Sequence, residues 1–487
     1  LSVSVLLGLL GTGVSLGTVT AQETAPVQTP APVDAPAPDQ EPAPDQDATP
    51  DQDAESSAPN ILVIVTDDQS KTLFTRALMP NVFSRLVDRG VNFERAYVNT
   101  AQCCPSRAQI LSGLYGRHSG VDGNQIVLDH PTFVELLRDE GYRTALAGKY
   151  MNSWPCRRRG EFDLWACITT AKEHVSLRDP TLRFDTYTRT YRGYQAEVLT
   201  MLVRRFIRET PDDQPFFALY APTSPHMPAD DYRYKDLAVP INRPPSFDEP
   251  TEETGKPTFM RRGPFSSEEV ARIDRVHRKM ARSVRALDEA LGSLLSSLGD
   301  RAANTVVFFL SDNGYLYGEH RTTKKALAYE ESVGVPFVVR PVASDESSQG
   351  TVSQELVSNV DIAPTIADLL GRQWGADGRS LVPLLDQSGP FLRDAALIEF
   401  CQGERFPCPG GNRFGTRRIP SYSGVVTDRY KYVEYYTGET ELYDLQEDPF
   451  ELDNLAAEPC ASPWTVTASR PDSPSATPSA WPSGRRR

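Results

Sequence analysis

The sequence predicts an α/β protein: a large, mostly parallel sheet sandwiched by helices, followed by a smaller C-terminal α+β subdomain with an antiparallel sheet. Three observations carry this expectation. NILVIVT from Asn60 and NTVVFFLS from Asn304 are unbroken apolar runs rich in β-branched and aromatic residues, the pattern of strands buried on both faces. Segments of helical period alternate with such runs. From about Asp394 the texture changes to SGVVTDRYKYVEYYTGETELYD, which reads as antiparallel strands with TGET as a turn, and DPFELDNLA as a short helix after them.

Taken in order, residues 1–21 form an apolar run with Val19 and Ala21 at small-residue cleavage positions, resembling a signal peptide, so export is expected. Glycines and serines interrupt that run, and no other long apolar segment follows, so no stable membrane span is expected. Residues 22–58 are a Pro/Ala/Asp/Gln tract too poor in apolar residues to offset chain entropy, and read as a disordered linker. Nine acidic residues and no Lys or Arg in residues 1–58 account for most of the net charge of −14. The remainder is mildly acidic and gives no indication of a nucleic-acid partner. The main folded part is placed at 59–390, the C-terminal subdomain at 391–458, and a second low-complexity tail at 459–487.

Within the main folded part, PTFVELLRDEG from Pro131 reads as a helix leading to a strand near 142–146. FFALYAP from Phe216 and VPFVVRP from Val335 read as further strands. The clearest helix begins at a capping box of Ser266 and Glu269, and its apolar stripe runs through Val270, Ile273, Val276, Met280, Val284, Leu287, Leu291 and Leu294.

Both apolar strands end in acids, Asp67-Asp68 and Asp312-Asn313. Either pair alone reads as a turn former; two together, at the carboxyl ends of parallel strands, mark the place where α/β sheets collect ligands. Asp67, Asp68, Asp312 and Asn313 offer only oxygen, which suits calcium or magnesium and not zinc.

The segment AQCCPSRAQILSG holds two adjacent cysteines at 103 and 104. A phosphatase-type thiolate loop needs five residues between Cys and Arg, whereas Cys103 and Cys104 precede Arg107 by less. Zinc binding lacks a second Cys/His pair at ligand spacing, and a vicinal disulfide is strained. Of the seven cysteines, Cys156/Cys167 and Cys401/Cys408 are close enough to pair in an oxidising compartment, leaving Cys103, Cys104 and Cys460.

CCPSRAQILSG closely resembles the signature of the formylglycine-dependent (type I) sulfatases, members of the alkaline-phosphatase-like superfamily. GYRTALAGK ending at Lys149 resembles their second signature, Pro225-His226-Met227-Pro228 their Pro-His-x-Pro loop, and KALAYEESVGVP from Lys325 the stretch after the second metal-binding strand. With ELYDLQEDPFELDNLA, the resemblance spans about residues 60–456.

The resemblance implies a mechanism. Cys103 is oxidised to formylglycine by a separate formylglycine-generating enzyme that reads Cys-x-Pro-x-Arg. The aldehyde hydrates, one hydroxyl attacks the sulfur of a sulfate ester, and the other expels sulfate, an exit that a thiol lacks. Asp67, Asp68, Asp312, Asn313 and residue 103 hold calcium, in preference to magnesium. Arg107 orients the diol, Lys149 and Lys325 clamp the sulfate, and His226 protonates the leaving oxygen. Where many arylsulfatases carry a His, this chain has Met151; Asn152 takes part of that role. The Gly-Lys-Tyr-x-Asn pattern is more similar to N-acetylglucosamine-6-sulfatase-like members, which points to a sulfated amino sugar or glycosaminoglycan. The alternatives are a generic arylsulfatase, a phosphonate or phosphodiester hydrolase of the same superfamily, and a non-catalytic binding protein.

Overall fold

The computed structural model describes residues 58–456 apart from 153, 169–175, 230–232, 343–349, 392, 402–411 and 415–416. The N-terminal apolar run, nearly all of the linker, the tail, Cys408 and Cys460 therefore lie outside the described residues. Counting the strands of the two larger sheets, the first ten are β1 (Asn60–Thr66), β2 (Val91–Phe93), β3 (Arg143–Gly148), β4 (Leu164–Ile168), β5 (Thr181–Arg183), β6 (Thr188–Thr190), β7 (Phe216–Ala221), β8 (Thr305–Ser311), β9 (Phe337–Arg340) and β10 (Thr351–Ser353). They form one sheet in the order β10-β2-β9-β8-β1-β7-β3-β4-β5-β6. Its centre, β8-β1-β7-β3-β4, is parallel. Antiparallel pairs appear only toward its sides, where β9 runs against both β8 and β2 and β5 against β4.

The unbroken apolar runs follow from this position. Ile61, Val63 and Val65 of β1 pack into the core on one face, and Leu62 and Ile64 into the core on the other. Two helices, α1 (Cys103–Ser112) and α2 (Phe133–Asp139), supply side chains to the first core; α3 (Gln195–Glu209) and α4 (Ser267–Ser296) supply the second. The expected capping box of α4 is present in both directions, with Glu269 N–H donating to Ser266 Oγ and Ser266 N–H to a Glu269 carboxylate oxygen, worth about 1 kcal/mol. Six of the eight predicted stripe residues are buried; Val270 and Val276 are half-buried.

A four-stranded antiparallel sheet follows: β11 (Ala396–Phe400), β12 (Tyr422–Val426), β13 (Tyr430–Tyr435) and β14 (Thr440–Asp444), with the expected turn between the last two. The short helix expected at DPFELDNLA is absent; the segment is a series of turns. Glu451 sits in the left-handed region at φ 51°, and its carboxylate accepts from the Glu330 N–H at 2.7 Å. Asn454 accepts from Leu442 N–H at 2.9 Å, so these side chains satisfy neighbouring strands rather than a local helix. Cys156 and Cys167 form the expected disulfide. Among the described residues no helix is long and apolar enough to cross a membrane.

Candidate active site

The site is built where β1, β8, β3 and β7 end and α1 begins. Asp67 and Asp68 follow β1, and Asp312 and Asn313 follow β8, its parallel neighbour in register. Asp68 adopts φ 64°, a left-handed conformation costing roughly 1–3 kcal/mol. Its N–H donates to Asp312 Oδ1 at 3.2 Å, and Asn313 Nδ2 donates to Asp68 Oδ1 at 2.8 Å.

Cys103 is the first residue of α1, where backbone N–H groups and the helix dipole favour negative charge. Pro105 falls in the first turn, where a missing N–H costs nothing. Four residues on, Arg107 shares the helical face of Cys103. The helix is held from behind: Cys104 N–H donates to Asn124 Oδ1 at 3.0 Å, and Asn359 Nδ2 donates to Ser106 Oγ and Gln109 Oε1, both at 3.0 Å. All ten residues of α1 are buried.

Lys149 enters as β3 ends. Gly148 has φ 126°, and a Cβ there would lie 1.9 Å from the Ala221 carbonyl oxygen, so only glycine lets the chain turn the lysine inward. The loop after β7 pairs with Asp67 through Pro225, which brings His226 alongside. Lys325 arrives on a loop in which Lys324 and Ala326 both have positive φ.

One ligand atom each of Asp67, Asp68, Cys103 and Asp312 lie within 4.8 Å of one another. Lys149 Nζ donates to Asp67 Oδ2 at 2.6 Å, and Arg107 Nε to Asp312 Oδ2 at 2.8 Å. Lys325 Nζ donates to Asp68 Oδ1, to Cys103 Sγ at 2.7 Å and to Asn313 Oδ1 at 3.2 Å. His226 Nε2 lies 3.7 Å from Asp68 Oδ2, and its side chain is 34% exposed while Asp68 is buried, which makes it the outlet of the cluster. Asn152 is half-buried in the loop beyond Lys149. Met151 is buried in the apolar core, so it packs and supplies no polar function.

The electrostatics fit an anion site with a cation in it. Three carboxylates face Arg107, Lys149 and Lys325, so a divalent cation held by the acids would leave the centre net positive toward a sulfate. Burial alone would raise the Asp67 carboxyl, but Lys149 and His226, with a smaller contribution from Arg107, outweigh it and hold it at about 2. Burial pushes the Cys103 thiol up to about 12, with Lys149 and Lys325 opposing only in part. As a thiol it is therefore not ionised near neutrality and makes a poor nucleophile. Arg107 Nη2 and His226 Nδ1 are buried without hydrogen-bond partners, two unused nitrogen positions at the centre. Carboxylate and amide oxygens at this spacing suit a hard cation.

A family model described as "Sulfatase" matches residues 59–372. The chain belongs to the sulfatase family. It is a sulfuric ester hydrolase with an alkaline-phosphatase-like fold. A second model, "N-sulphoglucosamine sulphohydrolase, C-terminal", matches residues 318–467. This sulfatase is 26% identical to the N-acetylglucosamine-6-O-sulfatase of Bacteroides thetaiotaomicron, over 82% of this chain and 83% of that one. It is 27% identical to the human N-acetylglucosamine-6-sulfatase, over 82% and 81%. Among solved structures, one in complex with its substrate D-glucosamine-2-N,6-O-disulfate superposes with a TM-score of 0.68 at 24% identity, covering 82% of this chain and 93% of its own. The phosphonate monoester hydrolase of Agrobacterium radiobacter superposes with a TM-score of 0.64 at 22% identity, covering 82% and 92%; at these identities the likeness is one of fold.

Asp67, Asp68, Cys103, Arg107, Lys149, His226, Asp312, Asn313 and Lys325 all make direct contacts within this cluster. Sequence reasoning did not find Asn124, Asn359 and Gln109, which hold α1, or the buried Tyr315 beside Asp68 and Lys325. Gln109 lay inside the signature stretch and was the accessible clue.

Proposed function

We propose that this sulfatase removes the 6-O-sulfate of an N-acetylglucosamine residue in a sulfated glycan, using a formylglycine made from Cys103 and a bound calcium ion. Asp67, Asp68, Asp312, Asn313 and residue 103 would hold the calcium. The formylglycine supplies a hydrated aldehyde as nucleophile, and the calcium supplies charge against the sulfate oxygens. The chain's own residues do the remaining work. Arg107, fixed by Asp312 and by the Lys149 carbonyl at 2.8 Å, keeps its second Nη for an incoming oxygen. Lys149 and Lys325 fix the orientation of the sulfate. His226, on the open side of the cluster, delivers a proton to the leaving oxygen of the sugar. Asn152 contacts the sugar. We further propose export, maturation by a formylglycine-generating enzyme, and the division into a catalytic part at 59–390 and a C-terminal subdomain at 391–458.

The observation that carries this reading is the convergence of Cys103, three carboxylates, Arg107 and two lysines on one buried point beside an accessible histidine. The names of the relatives support the choice of sugar. Sulfate release from N-acetylglucosamine-6-sulfate and nitrophenyl sulfate, measured beside phosphonate monoester and phosphodiester hydrolysis, tests it. Turnover of the sulfate esters dominates if the proposal holds; dominant phosphodiester or phosphonate turnover contradicts it.

A further inference from the structure

A cavity of about 740 Å³ is lined in part by chain neighbours of the site residues, a size that accommodates a sugar unit or more. Three of its lining residues are chain neighbours of the machinery: Met227 follows His226, Lys324 precedes Lys325, and Tyr315 lies two residues beyond Asn313. Its far wall is the first turns of α4 and the segment before them.

Four cations line this cavity, Arg261, Arg262, Arg272 and Lys324, against one carboxylate, Glu269. That carboxylate is already committed, accepting from Arg262 Nη2 at 2.8 Å and from the Ser266 N–H of the capping box at 2.8 Å. Arg261, Arg272 and Lys324 are exposed, and none of the three takes part in an ion pair among the described residues. Aromatic faces accompany the charges: Phe259, Phe265, Tyr315 and Tyr317 line the same space. Unpaired guanidinium groups recognise sulfate or carboxylate, and aromatic rings accept the apolar faces of sugar rings. A second cavity, about 460 Å³, shows the contrast. There Arg204, Arg205, Arg208 and Arg233 face Glu197 and Glu289, but none of the lining residues is a chain neighbour of the machinery and none is aromatic.

We infer that this cavity is a subsite for a second anionic sugar unit, so that the substrate is an oligosaccharide carrying a further sulfate or carboxylate beside the unit being cleaved. The inference rests on the sulfated-glycan reading above and extends it. The cations that read the neighbouring unit, Arg261 and Arg272, contact none of the groups that hold the scissile sulfate.

The double variant Arg261→Gln/Arg272→Gln tests this, since both side chains are exposed and the only side-chain hydrogen bond of either among the described residues is a long one, from Arg261 Nε to the Lys256 carbonyl at 3.5 Å. For a tetrasaccharide bearing a terminal 6-sulfated N-acetylglucosamine and a second sulfate on the adjacent unit, KM rises on the order of 10-fold. For N-acetylglucosamine-6-sulfate alone, and for the tetrasaccharide lacking the second sulfate, kcat/KM stays within about twofold. An equal loss on all three substrates, or no loss on any, overturns the inference. Binding of the doubly sulfated tetrasaccharide to the Cys103→Ala protein, with and without the two Arg substitutions, reads the cavity without turnover. Binding that weakens with the substitutions supports the subsite, and binding indifferent to them refutes it. Failure of the wild type to release sulfate from any ester would instead count against the proposed activity.

Discussion

Two buried clusters of acids, bases and a histidine lie among the described residues, and they differ in how open they are and in how their charges are paired. Around Cys103, Arg107 Nη2 and His226 Nδ1 are left without hydrogen-bond partners, and the histidine is partly exposed. Around His320, the charges answer one another. Lys431 Nζ lies 2.8 Å from both Glu330 and Glu451, and His320 lies 2.8 Å from Glu249 and 3.3 Å from Glu331, stacked on Tyr329 with ring centroids 3.8 Å apart. Lys431 belongs to β13 and the other residues to segments outside the four-stranded sheet, so this cluster fastens that sheet to the rest of the chain. Similar residue types thus form a reaction centre when they converge on a place for a ligand, and a clamp when they neutralise each other.

Substitutions should separate the two roles. Cys103→Ala is expected to lower kcat on the order of 10⁵-fold with little change in melting temperature; a large loss of stability would move Cys103 into the clamp class. His226→Ala should reduce kcat by about 10²–10⁴-fold, with a smaller loss for substrates whose leaving group needs no proton, such as nitrophenyl sulfate. An equal loss on both substrates would remove the general-acid assignment.

Lys431→Met works in the opposite sense. It leaves Glu330 and Glu451 buried without their cation and should destabilise the fold by about 3–5 kcal/mol in denaturant titration, while the folded fraction keeps its kcat. Chelation sharpens the contrast further. Removing the cation should abolish activity reversibly and lower the melting temperature by a few degrees, and full activity after exhaustive chelation would exclude a metal from the acidic cluster.

The smallest expected effect is one of pH. Burial disfavours the charge on His320, but Glu331, together with hydrogen bonds to Glu249 and Glu331, raises it to about 9. With the folded value above the ordinary 6.5, its stabilising contribution is complete below about 6.5 and disappears as pH rises through about 9. Urea midpoints measured across that window should fall for the wild type and fall less for His320→Gln. Parallel slopes would take His320 out of the clamp.

How much of this was legible in the sequence depended on whether a residue's environment leaves a local trace. A strand buried on both faces needs a continuous apolar run, so Asp67 and Asp312 stand out at the ends of β1 and β8. Helix α1 is buried all round and has no amphipathic period, so only the signature identifies it. Short strands such as Thr181–Arg183 and Thr188–Thr190 have too few residues to show alternation. The clamp draws on Glu249, His320, Lys431 and Glu451, each of which reads as an ordinary charged residue until the fold buries it, and on the half-buried Glu331. The same holds for Arg261 and Arg272 of the cavity, whose meaning lies in the ion-pair partners they lack.

The claim on which the rest depends is that residue 103 does not remain a cysteine in the active enzyme. Mass spectrometry of the peptide containing residue 103, taken from enzyme matured in a host that supplies the modifying activity, tests it most directly. The account predicts a mass lower than the unmodified peptide by a sulfur-for-oxygen exchange and the loss of two hydrogens, with sulfatase activity proportional to the converted fraction. Full activity in a preparation whose peptide carries only the intact thiol would contradict it.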